Sequence, residues 1–171
     1  NVTLFTMMLS AYEVLLHRYC NQDDLLVGIP LGGRKQPELH DLVGYFINPV
    51  PVRSQVNDDP TFAEYLSRNS DTVIGAIENQ QYPLARIVDG VKAPRDASRS
   101  PVFQVSFGME KVPGLDGEDA AVFMIGQGGH QMHLGDITVE SVDVTLRQAQ
   151  FEITLVVEEA GGQLYGCWQY N

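Results

Sequence analysis

The apolar residues change their spacing along the chain, and that change limits the folds open to it. Leu4, Phe5, Met8, Tyr12, Leu15, Leu16 and Tyr19 recur at helical intervals, which predicts a helix from Leu4 to Cys20. Asn1 or Thr3 can cap its start. Met7, Ala11 and Val14 add apolar residues on other faces, so this helix is expected to be buried on most sides. The last third reads differently. Phe103, Val105 and Phe107 alternate with Gln104 and Ser106, as the faces of a strand require. Ile137 and Val139 alternate too, then the register shifts to Val142, Val144 and Leu146, which predicts a bulge near Glu140-Ser141. Phe151, Ile153, Leu155 and Val157 form one apolar row, and Gly161-Gly162 is a hairpin turn leading into Leu164 to Tyr170.

The middle of the chain joins these two regimes. Leu25 to Pro30 reads as a short interior strand, followed by a loop marked by Gly32, Gly33 and Pro37. A second extended stretch runs from Ile47 to Val56. Pro49 and Pro51 place it at a sheet edge or strand start, because proline has no N–H for a ladder. Asp59 is expected to cap a long helix with Pro60 at its first position and Phe62, Leu66, Val73, Ala76 and Ile77 on its core face. A shorter helix follows Pro83, with Leu84, Ile87 and Val88 inward. Lys111 to Gly135 has no clear periodicity and reads as a long Gly-rich loop. Helices first and strands later favour an α/β sandwich with a mixed sheet over an alternating parallel one.

Composition narrows the class of function. The 171 residues fit one compact domain, and 44% hydrophobic with 19% charged residues is ordinary for a soluble protein. A formal charge of −11 repels polyanions, so nucleic acid is not expected as a ligand. No apolar run is long enough for a bilayer, and no basic-then-apolar signal segment opens the chain. Cys20 and Cys167 are too few for a disulfide framework and sit among apolar neighbours, which reads as small buried residues in a cytoplasmic protein. The first residue is Asn1 rather than Met, which reads as a processed, excised or partial chain.

The residues alone indicate no reaction. There is no Gly-rich phosphate loop and no Gly-x-Ser-x-Gly elbow. His130, His133 and Asp136 have ligand spacing only if helical, and Gly128, Gly129 and Gly135 argue against a helix, so no metal is expected. His17 reads as a satisfied structural residue on the first helix, and His40 lies in a polar loop.

Three segments supply a resemblance. Val43-Gly44-Tyr45-Phe46-Ile47-Asn48-Pro49-Val50-Pro51-Val52-Arg53 resembles the condensation-domain motif with Gly, an aromatic pair, Asn and a later Arg. Asn79-Gln80-Gln81-Tyr82-Pro83-Leu84 is similar to His/Asn-Gln-Asp-x-Pro-Phe-Glu. Arg95 through Val105 is similar to Arg-Asp-x-Ser-Arg-Asn-Pro-Leu-Phe-Gln-Val. They occur in family order and spacing, and Val2 to Arg34 and Phe151 to Asn171 also look like family segments. The chain thus resembles the C-terminal lobe of a nonribosomal peptide synthetase condensation domain. The departures are Pro49 for Thr, Gln81 for Asp, Leu84-Ala85 for Phe-Glu and Ser100 for Asn. The Gly-Tyr-Phe-x-Asn-Pro version resembles domains of hybrid polyketide–peptide assembly lines.

The resemblance implies a chloramphenicol-acetyltransferase-like two-layer lobe, with a mixed, mainly antiparallel sheet packed against helices. It implies that residues 1–171 are a partial C-terminal lobe, beginning inside it, with the N-terminal lobe and its His-His-x-x-x-Asp-Gly motif absent. The reaction implied is attack of an acceptor amine on a donor thioester, giving an amide. The implied partners are the N-terminal lobe, donor and acceptor carrier proteins bearing 4'-phosphopantetheine arms, and an adjacent adenylation domain. No cofactor is expected to bind this chain directly, and the chain alone is expected to be inactive.

Site residues follow from the same resemblance. Asn48 reads either as a tunnel-lining amide that hydrogen-bonds a pantetheine or the lobe interface, or as a turn residue beside Pro49. Gln80 and Tyr82 either face the tunnel or cap and pack the long helix. Arg53 reads as a structural ion pair or loop anchor before a functional group. Arg95 and Arg99 resemble a loop clamp with Asp96 and Ser98 bonding locally, and Gly44 permits a tight backbone. The competing readings are a non-catalytic carrier-docking module and a heterocyclisation or epimerisation relative.

Overall fold

The computed structural model describes residues 2–34, 36–92, 96, 98–110, 128–129, 131–142, 149–160 and 162–171. The chain forms two compact units, Asn1–Phe107 and Gly108–Asn171. In the first unit the order is α1 (Leu4–Cys20), β1 (Asp24–Leu31), a 3-10 turn (Pro37–Leu39), β2 (Asn48–Gln55), α2 (Phe62–Glu78), α3 (Leu84–Val91) and the start of β3 (Val105–Glu110). β1 pairs antiparallel with β2 over its whole length and parallel with β3 through Val27–Val105 and Gly28–Ser106. The expected mixed sheet is therefore present, with β1 inside it and the proline-bearing β2 at its edge.

Each element has a local cause. Thr3 caps α1 by accepting from the Thr6 N–H at 3.1 Å, and Asn21 ends it in a left-handed conformation. α2 is capped by Thr61 rather than by Asp59. Thr61 and Glu64 form a reciprocal capping box, satisfying two helix-start donors at once. Along β2 the even positions Val50, Val52 and Ser54 are buried and the odd positions Arg53 and Gln55 are exposed, the alternation of a half-buried strand. Gly28 in β1 lies under the Phe103 ring, which a Cβ there would strike. Phe103 is buried on that face of β1, while Val27 and Ile29, of opposite strand parity, are buried on the other. Phe107 meets the rings of Phe5 at 5.5 Å and Tyr12 at 6.0 Å.

Several expectations give way. α1 buries one face, through Thr6, Leu9, Ser10, Tyr12 and Glu13, while Met7, Leu15 and Tyr19 are exposed. Cys20 is exposed because it lies in the last turn, beyond that packed face. The core face of α2 is Tyr65, Asn69 and Val73, an i, i+4, i+8 row, and Phe62 at the open end stays exposed. Leu84, Ile87 and Val88 of α3 are half-buried, as the sequence predicts.

The second unit holds two antiparallel hairpins. β4 (Gln131–Leu134) pairs with β5 (Ile137–Glu140), and β6 (Ile153–Ala160) pairs with β7 (Gln163–Tyr170). The β6–β7 pairing ends at Ala160 and Gln163, and Gly162 between them has φ +76°. β4 occupies the end of the segment read as loop; Gly135 at φ +61° makes its turn. Val144 and Leu146 of the expected bulge lie outside the described residues. No helix among the described residues is long and apolar enough to cross a membrane.

Candidate functional site

The motif segments meet at the beginning of β2. Asn48 has the same strand parity as the buried Val50, Val52 and Ser54, so its side chain is carried to the helix side of the sheet. There its amide nitrogen donates to the carbonyls of Gln80, at 2.8 Å, and Tyr82, at 2.9 Å. Its amide oxygen accepts from the Leu84 N–H at 3.3 Å. Both N–H donors and the carbonyl of the Asn48 amide are thereby used by the connection between α2 and α3. Gln80 is buried and closes the end of α2, its side chain donating to the Ile77 carbonyl at 2.7 Å. Tyr82 keeps an exposed ring, and its N–H bonds the Asn79 carbonyl at 3.0 Å.

A loop completes the surroundings. The Arg34 guanidinium lies 4.2 Å from the centroid of the Phe46 ring. It donates to the carbonyls of Leu39, of His40 at 3.4 Å and of Gly44 at 3.3 Å. His40 returns through Nε2 to the Arg34 carbonyl at 3.1 Å. Gly33 has φ +63°, and a Cβ there would strike the Phe46 carbonyl oxygen. A Cβ on Gly44 would lie 3.1 Å from the Phe46 ring, so the expected tight backbone at Gly44 is a matter of making room for that ring. The motifs do not single out Arg34. Its place directly after the Gly32-Gly33 pair, ahead of a long loop, is the one signal the sequence offers.

Two cavities open here. One of about 530 Å³ is lined by Gly32, Gly33, Arg34, Gly44, Tyr45, Phe46, Ile47 and Gln80. The other, of about 360 Å³, is lined by Gly33, Gln36, Leu39, Phe46, Asn48, Gln80, Gln81 and Pro83. Gly33, Phe46 and Gln80 belong to both. The walls mix apolar surface with amides and open glycine backbone, which suits an extended, amide-bearing ligand. Beside them Leu42, Val43, Tyr45 and Ile47 expose large apolar side chains.

The remaining candidates lie elsewhere. Arg53 makes an exposed fork with Asp24, Nε to Oδ1 at 2.8 Å and Nη2 to Oδ2 at 2.6 Å. That pairing lowers the Asp24 pKa, by hydrogen bonding first and charge second. Asp96 accepts from the Ser98 N–H at 2.9 Å and hydroxyl at 2.7 Å, the local bonding expected of this motif. Arg99 is exposed beside that turn, and Arg95 lies outside the described residues. His133 pairs with the Thr138 hydroxyl at 3.0 Å, His130 lies outside the described residues, and no metal-binding cluster occurs among those described.

A buried polar cluster joins α1, α2 and β2, and no sequence pattern announces it. Glu13 is fully buried, and its Oε2 accepts from the Tyr65 hydroxyl at 2.6 Å and the Asn69 amide at 2.5 Å. Asn69 also donates to Ser10, and Tyr65 meets the Ser54 hydroxyl. Burial pushes the Glu13 carboxyl up to about 7, against the opposing pull of its two hydrogen bonds. The only available signal is its placement four residues after Leu9 and one after Tyr12, on the packed face of α1.

Known proteins match this chain from end to end. A linear gramicidin synthase of Brevibacillus parabrevis is 35% identical over 170 residues, 99% of this chain but 3% of that protein. A solved four-domain nonribosomal peptide synthetase bound to AMP and glycine superposes with a TM-score of 0.87 at 26% identity, over 99% of this chain and 13% of the other. The X-domain from teicoplanin biosynthesis shares the fold, with a TM-score of 0.75 at 24% identity over 98% of this chain and 36% of the other. The chain thus spans a small part of these relatives. The condensation-domain family model matches residues 1–171, and the chain belongs to the condensation-domain family.

Proposed function

We propose that this chain is the C-terminal lobe of a condensation domain in nonribosomal peptide assembly. In that reading, the acceptor amine attacks the donor thioester carbonyl, the amide bond forms and the donor's carrier thiol leaves. The paired-histidine motif is not among these 171 residues, so it is supplied by an N-terminal lobe outside them. The partners are that lobe, the donor and acceptor carrier proteins, and an adjacent adenylation domain. The substrates arrive on 4'-phosphopantetheine arms, and the two joined cavities are the wall along which such an arm lies.

The observation that supports this reading is the convergence of Gly32-Gly33-Arg34, Gly44 to Asn48, and Gln80 to Pro83 on one groove. A pantetheine arm is long, thin and studded with amides. Exposed glycine backbone and a few fixed amides among apolar walls are what such a ligand needs. Asn48 acts in it as a positioning residue, since its own amide is engaged in holding Gln80 and Tyr82.

Gly32 provides the test, because a Cβ there meets nothing within 4 Å. Gly32→Phe in the intact parent enzyme should fill the groove without straining the core. Single-turnover amide formation should fall at least tenfold, with the melting temperature unchanged. Unaltered turnover in a folded Gly32→Phe enzyme would remove the groove from the reaction.

A further inference from the structure

The two cavities share Gly33, Phe46 and Gln80 in their linings, and of these Phe46 is held from several sides. Phe46 lines both. The Arg34 guanidinium lies 4.2 Å from the ring centroid while its nitrogens are tied to the carbonyls of Leu39, His40 and Gly44. A guanidinium bonded at several points cannot swing away as a free side chain does, so it fixes the ring that it covers. Glycines at 33 and 44 leave the space that the Phe46 backbone and ring occupy. Arg34, Gly33, Gly44 and Phe46 therefore interlock on one side of the groove.

We propose that the Phe46 ring, pinned by Arg34, determines the size of the acyl group that the groove admits. The inference rests on the reading of the groove as the path of a thioester-bound substrate, and it assigns that path a specificity-determining residue. The chemical class is a thioester-borne acyl or aminoacyl group. The ring's residue lies on the lining of both cavities, of about 530 and 360 Å³. Truncating the ring widens the groove at that point, and a bulky side chain gains room that a glycyl group does not need. Apolar pockets discriminate by size roughly tenfold or more per methylene-sized misfit, so removal of a whole ring is a large change.

The test uses the intact condensation enzyme with two substrate series, one varying the donor acyl group and one the acceptor aminoacyl group from glycyl to tryptophyl. Phe46→Ala should raise the bulky-to-glycyl ratio of kcat/KM about tenfold or more in one series and leave the other unchanged, which identifies the side that the groove serves. Arg34→Ala should shift the same ratio in the same direction by less, because the ring remains but is no longer pinned. Arg34→Lys, which loses the fork, should resemble Arg34→Ala. Phe46→Leu, a milder change, covers the case in which Phe46→Ala does not fold. An equal loss across every substrate in both series would overturn the proposal and leave Phe46 a packing residue. Gly32→Phe run beside them separates the two failures: if it blocks turnover while the ratios stay flat, the groove stands and the size filter falls. If it has no effect either, both fall.

Discussion

At the scale of single residues, Asn48 shows how one amide can decide a local geometry. Its two N–H bonds hold the carbonyls of residues 32 and 34 positions away, and its oxygen receives the first N–H of α3. Asn48→Ala should therefore lower stability by about 0.5–1.5 kcal/mol, the net range for hydrogen bonds that water can partly replace, since these are part-buried or exposed. Asn48→Asp should be worse than Ala at pH 7, because a carboxylate oxygen would then face two carbonyl oxygens. Urea unfolding of the three proteins checks the order; an Asp variant as stable as wild type would contradict the geometry. The sequence points to Asn48 through its motif, and strand parity tells which face it occupies. It does not tell that both ends of the amide are taken, since the partners are main-chain atoms of a distant turn. Arg34 is illegible for the same reason: its acceptors are carbonyls, which every residue carries.

Elements are the most legible level, and their interfaces the least. The bounds of α1, the start of α3 and the β6–β7 turn follow from periodicity, proline and glycine. The start of α2 does not, because Asp59-Pro60 and the Thr61–Glu64 capping box are both reasonable helix starts and only the second makes reciprocal bonds. The packing of α1, α2 and β2 around Glu13 is invisible in the sequence, because a glutamate in a helix reads as an outward residue. Its consequence is measurable. The folded carboxyl titrates near 7, against an ordinary value of 4.5, and its Oε1 has no hydrogen-bond partner among the described residues. A raised pKa means that the folded state holds a proton that the unfolded chain gives up. The stabilisation is complete below about 4.5 and is lost as pH rises through about 7, a span of about 3 kcal/mol. Glu13→Gln keeps an acceptor for Tyr65 and Asn69 and cannot ionise. It should flatten that slope and be the more stable protein at pH 8. Parallel slopes for the two proteins between pH 5 and 7.5 would show that Glu13 does not titrate there.

For the molecule as a whole, the proposal places the groove in this chain and the proton chemistry outside it. Amide formation needs an amine whose proton is lost as the carbonyl is attacked, so a base or a polar orienting group must stand at the reacting atoms. Among the described residues that line the two cavities there is no histidine and no carboxylate, and the Arg34 guanidinium is committed to main-chain carbonyls and the Phe46 ring. The described histidines do not fill the gap. His17 bonds the Gln22 carbonyl at 2.9 Å, His40 bonds the Arg34 carbonyl, and His133 bonds Thr138. None of these three lines the groove. The chain alone, incubated with loaded donor and acceptor carrier proteins, should therefore give no amide above the uncatalysed background. The intact parent should turn over under the same conditions, and mass spectrometry of the acceptor carrier distinguishes the two outcomes. Product from the chain alone that disappears on mutating one of its own residues would mean that these 171 residues hold a complete catalytic site, and the division of labour proposed here would be wrong.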